Sequence, residues 1–408
     1  MKILHTSDWH LGKYLNNFSR HQEQEEVLNE IHEIADREDV NVVLISGDLF
    51  DTYNPPVEST ELFYKSLKKL AVNGKRAVIA IAGNHDSPDR IEAPDPLARE
   101  CGIIFAGYPH TRVQVFELES GLKILNSDEG FFSLSIPDVK EELRVLITPY
   151  ANEYRLKTYL GAEDQEAELR LVLKDKWQQL AEKYCDGAGV NILAAHLMFI
   201  KTGDAIPEEP DDEKPILHVG GAQLIYADSI PSQIQYTALG HLHRQRFVVP
   251  EGAPVVYSGS PLAYSFSEAN QSKFVQLIDV LPGQSAKVSS IELKSGKKLL
   301  RKRSESIEEA LEWLQQNPNA LVELTMVTDS YLTADDRKKL MNAHTGIVSL
   351  IPEVKNPDLT SLSSHQNIDL TKDLESLFQD YFLHEKGQQP GPGIMSLFKE
   401  VLSEEESV

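Results

Sequence analysis

Five short apolar segments along the chain each end in residue types that bind metals or carry protons. The segments are KILHTSDWH at 2–10, VNVVLISGDLFD at 40–51, RAVIAIAGNHD at 76–86, VNILAAHLM at 190–198 and IQYTALGHLH at 234–243. Short runs of β-branched, uncharged residues predict buried strands. Helical patterns over 20–38 and 58–73 separate the first three runs, and each has its apolar residues on one face. This alternation predicts parallel strands with helices packed on the faces of the sheet.

Later strand patterns predict a second sheet, so the fold class over 1–285 is α/β, a sandwich of sheets flanked by helices. These patterns are APVVYSGSP at 253–261 and KFVQLIDVL at 273–281. From about 286 the sequence predicts a strand at 297–303, a helix at 306–316, a strand at 320–328, a helix at 333–343 and a strand at 346–351. That order predicts a small, separate α/β domain over 286–352. The remainder, 353–408, has a linker at 356–366 and two amphipathic segments.

The polar residues that follow the five strands are predicted to lie together, because ligands of open α/β sheets bind beyond the carboxyl ends of the strands. They are Asp8, His10, Asp48, Asn84, His85, His196, His241 and His243. Imidazole, carboxylate and amide donors without a thiolate suit hard-to-borderline divalent cations. A carboxylate such as Asp48 can bridge two ions about 3.5–4 Å apart. Each short motif alone is an ordinary turn or strand end, but five together predict a metal site.

Charge and composition limit the partners. The net charge of −23 argues against nucleic acid, because phosphate binding requires Lys and Arg. The charge is uneven, however, and KSGKKLLRKR at 294–303 has six basic residues and no acid. This run predicts either a DNA contact or a solvated strand face, and the sequence leaves both open.

The sequence also predicts a compartment. Cys101 and Cys185 have no Cys or His at metal-ligand spacing, so they predict reduced thiols in a cytoplasmic protein. The start, MKILHTSDWHLG, lacks the pattern of a signal peptide. No apolar run approaches the roughly 18 residues that span a bilayer, so no membrane partner is expected.

The motifs together resemble the five signature motifs of the calcineurin-like metallophosphoesterases. They are DWH at 8–10, GDLFD at 47–51, GNHD at 83–86, His196 and GHLH at 240–243, in that order. The start ILHTSDWHLG, GSP at 259–261 and the length of 408 residues more narrowly resemble bacterial nuclease subunits that act with an SMC-like ATPase. The resemblance implies a metallophosphoesterase β-sandwich over 1–285, a small α/β capping domain over 286–352 and a C-terminal helical tail over 353–408.

The resemblance also implies roles for the site residues. One ion would be held by Asp8, His10, Asp48 and His243, and the other by Asp48, Asn84, His196 and His241. His85 would be catalytic, facing the scissile phosphate to stabilise the transition state or protonate the leaving 3′ oxygen, and Asp86 would position it. The implied cofactors are two Mn²⁺ ions, with Mg²⁺ less favoured.

The implied function is a manganese-dependent DNA nuclease that works in DNA repair and recombination. It would act on double-stranded ends and hairpins as a 3′–5′ exonuclease and single-strand endonuclease, with the acidic segment 207–213 turned away from the DNA. Two other functions remain open. One is a phosphatase or small-molecule phosphodiesterase, because fold and metals do not select the substrate. The other is a non-catalytic scaffold, against which the intact ligand set argues.

Two protein contacts are also implied. The segments DLTKDLESLFQDYFL at 369–383 and IMSLFKEVLSEEE at 394–406 carry apolar stripes. These stripes would bind the SMC-like ATPase or, alternatively, the chain's own small domain. A homodimer within a heterotetramer is implied through 58–73 and 91–100, with Leu62, Phe63 and Leu67 as apolar candidates. Burial of these three side chains in the monomer core is the open alternative.

Overall fold

The computed structural model describes residues 1–159, 164–205, 224–328, 332–354, 374–386, 390–391, 394–395 and 398. The acidic segment 207–213 and the linker 356–366 lie outside the described residues. The chain divides into two compact units, Met1–Met326 with Leu332–Pro352, and Val327–Tyr331 with Glu353–Val408.

The helices and strands of the described residues are numbered in chain order. The strands are β1 (Lys2–Thr6), β2 (Tyr14–Leu15), β3 (Phe18–Ser19), β4 (Val42–Ser46), β5 (Ala77–Ile81), β6 (Ile103–Ala106), β7 (Lys123–Asp128), β8 (Phe131–Ser135), β9 (Leu143–Thr148), β10 (Val190–His196), β11 (Met198–Ile200), β12 (Leu224–Tyr226), β13 (Tyr236–Gly240), β14 (Arg246–Val249), β15 (Val255–Tyr257), β16 (Lys273–Asp279), β17 (Lys287–Leu293), β18 (Leu299–Ser304), β19 (Leu321–Thr328) and β20 (Ile347–Val354). The helices are α1 (His21–Arg37), α2 (Val57–Ala71), α3 (Pro88–Glu92), α4 (Asp95–Arg99), α5 (Glu153–Leu156), α6 (Gln165–Tyr184), α7 (Ile307–Gln316), α8 (Ala334–Ala343) and α9 (Leu374–Lys386). Short 3-10 turns occupy Val72–Gly74, Ala227–Ser229 and Phe266–Glu268.

Two sheets form the body of the larger unit. Within the described residues, the first has the order β17–β16–β1–β4–β5–β6 and the second the order β14–β15–β13–β10–β9–β8–β7. Strands β1, β4, β5 and β6 are parallel, as are β9, β10, β13 and β15. The strands at the other positions are antiparallel. The predicted parallel strands at the start of the chain are therefore confirmed.

Alternating residues of each strand enter different cores, because successive side chains of a strand point to opposite faces. In β4, Val42 and Leu44 pack between the two sheets, whereas Val43 and Ile45 pack against the helices α1 and α2. On the far side, α6 covers the second sheet with Leu169, Leu173 and Trp177. The order of layers is helices, sheet, sheet, helix, which confirms the predicted α/β sandwich.

The apolar stripe of α2 lies in the core of the monomer. Phe63 and Leu67 are fully buried there, and Leu62 is partly buried against the same cluster. For Phe63 and Leu67, the core alternative to a dimer contact is confirmed, whereas Leu62 is only partly buried.

The small α/β region contains β18, α7, β19, α8 and β20 in the predicted order. Ser306 caps α7 by accepting from the Glu309 N–H at 3.2 Å, and Thr333 caps α8 by accepting from the Asp336 N–H at 3.1 Å. Its start differs from the predicted boundary at 286, because β17 pairs with β16 along its whole length and belongs to the six-stranded sheet. The alternating sequence KVSSIEL indicates a strand but not the sheet that it joins. The division into three domains stays a prediction.

The described part of the tail contains α9, which begins within the first predicted amphipathic segment, 369–383, and extends to Lys386. The ring of Phe378 stacks on that of Phe398 from the second segment, with centroids 4.0 Å apart. Tyr381 and Ile394 are exposed. Four apolar residues of the two predicted stripes, Leu370, Leu397, Val401 and Leu402, lie outside the described residues. Among the helices that the structure describes, none is long and apolar enough to span a membrane.

Candidate metal centre

The carboxyl ends of five strands bring all seven predicted ligands to one edge of the two sheets. Asp8 and His10 follow β1, Asp48 follows β4, Asn84 follows β5, His196 ends β10, and His241 and His243 follow β13. Of these, all but His241 are buried. Because the ligands come from both sheets, the centre forms only when the sandwich is assembled.

The first donor set surrounds His10. Its Nε2 lies 2.9 Å from Nε2 of His243 and 3.5 Å from Oδ2 of Asp48. Asp8, His10 and Asp48 each offer a ligand atom within 4.8 Å of the others. Nitrogen and oxygen donors that face one another in this way are suited to a shared cation.

The second donor set surrounds Asn84. Its Oδ1 lies 2.8 Å from Nε2 of His196 and 3.1 Å from Nδ1 of His241. Nε2 of His196 is also 3.4 Å from Oδ2 of Asp48. The same Asp48 oxygen therefore faces both sets, as a bridging carboxylate must.

Hydrogen bonds beyond the donors fix the orientation of the ligands. Nδ1 of His196 donates to the Ser46 carbonyl at 2.8 Å, which leaves Nε2 to face Asn84 and Asp48. Burial opposes a charge on this ring, but the carboxylates of Asp48 and Asp8 and the bond to the Ser46 carbonyl together outweigh burial and raise the pKa of His196 to about 9. A metal ion bound at Nε2 would take the place of the second proton of this ring, and the carboxylate of Asp48 would favour its positive charge.

The two carboxylates differ in their electrostatic surroundings. Burial raises the pKa of Asp8, whose Oδ1 accepts from the His241 N–H at 2.9 Å and whose Oδ2 accepts from the Ser7 hydroxyl at 2.5 Å. Burial also acts on Asp48, but the neighbouring His196 and His85 hold its pKa well below the usual range. Asp48 is thus ionised at the position shared by the two donor sets.

At the centre, several residues other than glycine have positive φ angles, which residues with a side chain usually avoid. The φ angles are 53° for Asp8, 42° for His10, 48° for Asp48 and 109° for His241. Such strain is found at functional sites, where the surrounding structure holds it in place. Gly83 is required here, because an added Cβ would collide with the Asp48 carboxylate. The backbone that carries the metal ligands is therefore closely packed and held in an unusual conformation.

His85 and Asp86 lie at the centre, but one predicted contact between them is wrong. Asp86 does not hold the His85 ring: its carboxylate accepts from the N–H groups of Leu49, Phe50 and Gly83 at 3.0, 2.9 and 2.7 Å. Nδ1 of His85 is instead 2.9 Å from the Asp51 carbonyl. Because three backbone donors already occupy the Asp86 carboxylate, it fixes the two ligand loops to each other.

Three supporting residues were not predicted as site residues. Asp51 lies 3.5 Å from Nδ1 of His10 and forms a group with His10 and His85 that could hold a metal ion. Its place in the GDLFD motif was the available signal. Glu268 lies 3.5 Å from Nδ1 of His243 and forms a buried ion pair with Lys273. No local sequence pattern marks Glu268 or Lys273, because their relation to His243 arises only on folding.

The donor set fits two divalent cations. Among the described contacts, the buried Nδ2 of Asn84 has no hydrogen-bond partner, while Oδ1 of the same amide faces two imidazoles. This orientation leaves Nδ2 of Asn84 unsatisfied, which costs free energy. The orientation is explained if Oδ1 is required at this position as a metal ligand. Asp8, His10, Asp48 and His243 would hold one ion, and Asp48, Asn84, His196 and His241 the other.

A layered α/β sandwich with two nitrogen and oxygen donor sets that share one carboxylate defines a metal-dependent phosphoesterase. The family model of calcineurin-like phosphoesterases matches residues 1–230. The D subunit of nuclease SbcCD from Bacillus subtilis strain 168 is 35% identical, over 99% of this chain and 98% of its own length.

Two further relatives carry the same name. The protein of Rhodobacter capsulatus is 32% identical over 69% of this chain and 67% of its own, and that of Escherichia coli K12 is 29% identical over 83% and 81%. The chain therefore belongs to the calcineurin-like phosphoesterases, in the family of SbcCD D subunits. The family implies a two-metal centre, in agreement with the two donor sets.

Proposed function

We propose that this protein is a manganese-dependent DNA nuclease that acts with an SbcC-type, SMC-like ATPase in DNA repair and recombination. Its substrates would be double-stranded DNA ends and DNA hairpins. The protein would cleave them as a 3′–5′ exonuclease and as a single-strand endonuclease. The observation that carries the proposal is the 35% identity to an SbcCD D subunit over 99% of the chain. The match extends through the small α/β region and the tail, which a phosphatase does not need.

The chemistry follows from the donors and from His85. Two bound ions would supply a hydroxide nucleophile near neutral pH and neutralise charge on the phosphoryl oxygens. A carbonyl only accepts, so the bond between His85 Nδ1 and the Asp51 carbonyl requires a proton on Nδ1. Nε2 is then the nitrogen available to the substrate. In the protonated ring it would donate to the leaving 3′ oxygen.

The lysines of the basic run support a DNA contact at its N-terminal part. Lys294, Lys297 and Lys298 line a groove of about 510 Å³ between the six-stranded sheet and β18. In contrast, Arg301 pairs with Glu323 and Lys302 with Glu309, each at 2.7 Å. We therefore assign the proposed phosphate contacts to the three lysines that line the groove.

Two protein contacts belong to the proposal. The tail would bind the SbcC-type ATPase through the surface that includes the exposed Tyr381 and Ile394. A homodimer would form through α2 and α4, which both pack on β6. Val57 and Leu97, at 84% and 78% exposure, are the apolar side chains available there. The cytoplasm is the proposed compartment, because the proposed substrate is chromosomal DNA.

A nuclease assay tests the proposal. Linear duplex and hairpin DNA are incubated with the full chain and Mn²⁺ or Mg²⁺, with and without the ATPase and ATP. We expect Mn²⁺-dependent cleavage, with Mg²⁺ less effective and with ATP stimulating cleavage only when the partner is present. Hydrolysis of p-nitrophenyl phosphate without DNA cleavage would instead establish the phosphatase alternative. Full metal occupancy without hydrolysis of either substrate would establish the scaffold.

A further inference from the structure

A buried arginine lies behind the turn that carries Asn84 and His85. Arg155 belongs to the short helix α5, and its side chain is 2% exposed. Nη1 donates to the Gly83 carbonyl at 2.7 Å, and Nη2 donates to the Asp86 carbonyl at 2.8 Å. The Asn84 carbonyl is 3.5 Å from Nη2. One guanidinium therefore contacts three carbonyls of the four-residue turn.

The same guanidinium joins this turn to the loop that follows β4. Nη2 also donates to the Tyr53 hydroxyl at 2.9 Å. Tyr53 is two residues beyond Asp51, whose carbonyl bonds to Nδ1 of His85. Arg155 thus connects the two loops that together hold the His85 main chain and ring.

The segment around Arg155 is itself fixed against the turn. The Tyr150 N–H donates to the Ala82 carbonyl at 2.9 Å, and the guanidinium lies 5.1 Å from the centre of the Tyr150 ring. The Asn152 side chain caps α5 by accepting from the Arg155 N–H at 2.8 Å. A planar, pre-organised guanidinium loses little freedom when such a frame holds it.

Arg155 differs from the other buried arginine with several backbone partners. Arg76 donates to the carbonyls of Val40, Leu70 and Ala35 and pairs with the carboxylate of Asp36. Among the described contacts, the hydrogen bonds of Arg155 reach carbonyls and a hydroxyl but no carboxylate. Burying a cation without a counter-charge is costly. Proteins retain such costly arrangements mainly at functional sites, and the turn that Arg155 contacts carries Asn84 and His85.

We propose that Arg155 is a positioning residue for the metal centre, which fixes the Gly83–Asp86 turn so that Asn84 Oδ1 and the His85 ring reach their working positions. The inference rests on the two-metal centre and not on DNA as the substrate. It assigns Arg155 to the ion held by Asn84, His196 and His241. The other ion has no ligand on this turn.

The test uses the full chain with Arg155→Ala, Arg155→Lys and Tyr53→Phe, and Arg76→Ala as the matched control. Mn²⁺ affinities of the metal-free proteins are measured by calorimetric titration. Thermal unfolding of the same proteins is recorded without metal. Values of kcat and KM are measured with bis-p-nitrophenyl phosphate, which removes DNA binding from the comparison.

We expect Arg155→Ala to weaken one of the two Mn²⁺ sites by about 10- to 100-fold, the usual effect of losing a partner that supports a ligand. The other site should change little, and kcat should fall more than KM rises. Arg155→Lys keeps the positive charge but not the planar guanidinium with its several N–H donors. It should show a smaller loss of Mn²⁺ affinity at the same site. Tyr53→Phe should keep both sites, since the carbonyl contacts remain. Arg76→Ala should lower the unfolding temperature and keep both sites.

Three outcomes would overturn the proposal. The first is that Arg155→Ala and Arg155→Lys destabilise the protein as Arg76→Ala does but bind both ions normally. The second is equal weakening of both sites, which would place the effect at the shared Asp48. The third is loss of an ion in Tyr53→Phe, which would show that Tyr53, and not Arg155, fixes the Gly83–Asp86 turn. If Arg155→Ala does not fold, Arg155→Lys alone decides between these results.

Discussion

Asp48 Oδ2 lies 3.4 Å from His196 Nε2, although the two residues lie at the ends of strands from different sheets. The same oxygen lies 3.5 Å from His10 Nε2. The bond from His196 Nδ1 to the Ser46 carbonyl holds the end of β10 against the end of β4. Packing of the two sheets thus makes Asp48 common to both donor sets.

Replacement of the shared carboxylate should remove both ions. Elemental analysis after manganese loading should give about two metals per wild-type chain, as a two-metal site requires. Asp48→Ala should give almost none. Asp128→Ala is the control, because that carboxylate pairs with Arg112 and Lys183 and should keep both ions. Unchanged stoichiometry in Asp48→Ala would refute the assignment of the bridge.

Loss of His85 should impair turnover without removing metal. His85→Ala should bind two ions, because its ring bonds to the Asp51 carbonyl and belongs to neither proposed ligand set. Its kcat should fall by about 10²–10⁴-fold, the usual range for a positioned acid or base. His110→Ala, in which a ring stacked on Tyr108 is removed, should match the wild type. If His85→Ala loses an ion, His85 is a ligand.

The three lysines that line the groove should bind the DNA backbone. Replacement of Lys294, Lys297 and Lys298 with Ala should weaken duplex binding and reduce its salt dependence, by about 0.9 log unit of slope for each lost phosphate contact. Hydrolysis of bis-p-nitrophenyl phosphate should not change. Arg301→Ala with Lys302→Ala is the matched control within the same run, since both are paired with glutamates. An equal effect in the control would contradict the assignment.

The proposed homodimer should depend on an exposed apolar side chain. Leu97→Glu should convert the dimer to a monomer in light scattering at micromolar concentration, because a charge would be buried at the contact. The unfolding temperature of the monomer should stay close to the wild type, since Leu97 is 78% exposed. Leu171→Glu, at an exposed position of α6, is the control. A wild-type monomer at this concentration would rule out the dimer.

The tail should be needed for the ATPase and not for chemistry. Truncation at Leu359 should keep Mn²⁺-dependent hydrolysis of a small phosphodiester. It should abolish co-purification with the SbcC-type ATPase and ATP-stimulated cleavage of duplex DNA. Tyr381→Ala should weaken the same co-purification without lowering the unfolding temperature, because its ring is exposed. Loss of solubility on truncation would instead place the tail in the chain's own core.

The helices and strands and the types of metal ligand could be predicted from the amino-acid sequence alone. Short continuous apolar runs predicted the early strands, and apolar stripes of period 3.6 predicted α1 and α2. The order of elements from β18 to β20 was also predicted. The residues at the strand ends gave the set Asp8, His10, Asp48, Asn84, His196, His241 and His243, which the structure brings together. This succeeded because strand ends and short motifs are local, and because parallel strands present their carboxyl ends at one edge.

Which residues are neighbours in space could be learned only from the folded chain. The tertiary structure placed Phe63 and Leu67 in the monomer core and β17 in the six-stranded sheet. It also showed that the His85 ring bonds to the Asp51 carbonyl and that Arg155 donates to the turn at 83–86. Periodicity shows which side of an element is apolar, but it does not identify what covers that side. Hydrogen bonds between residues distant in sequence have no local sequence pattern, because they form only when the chain folds. They can therefore be identified only in the folded structure.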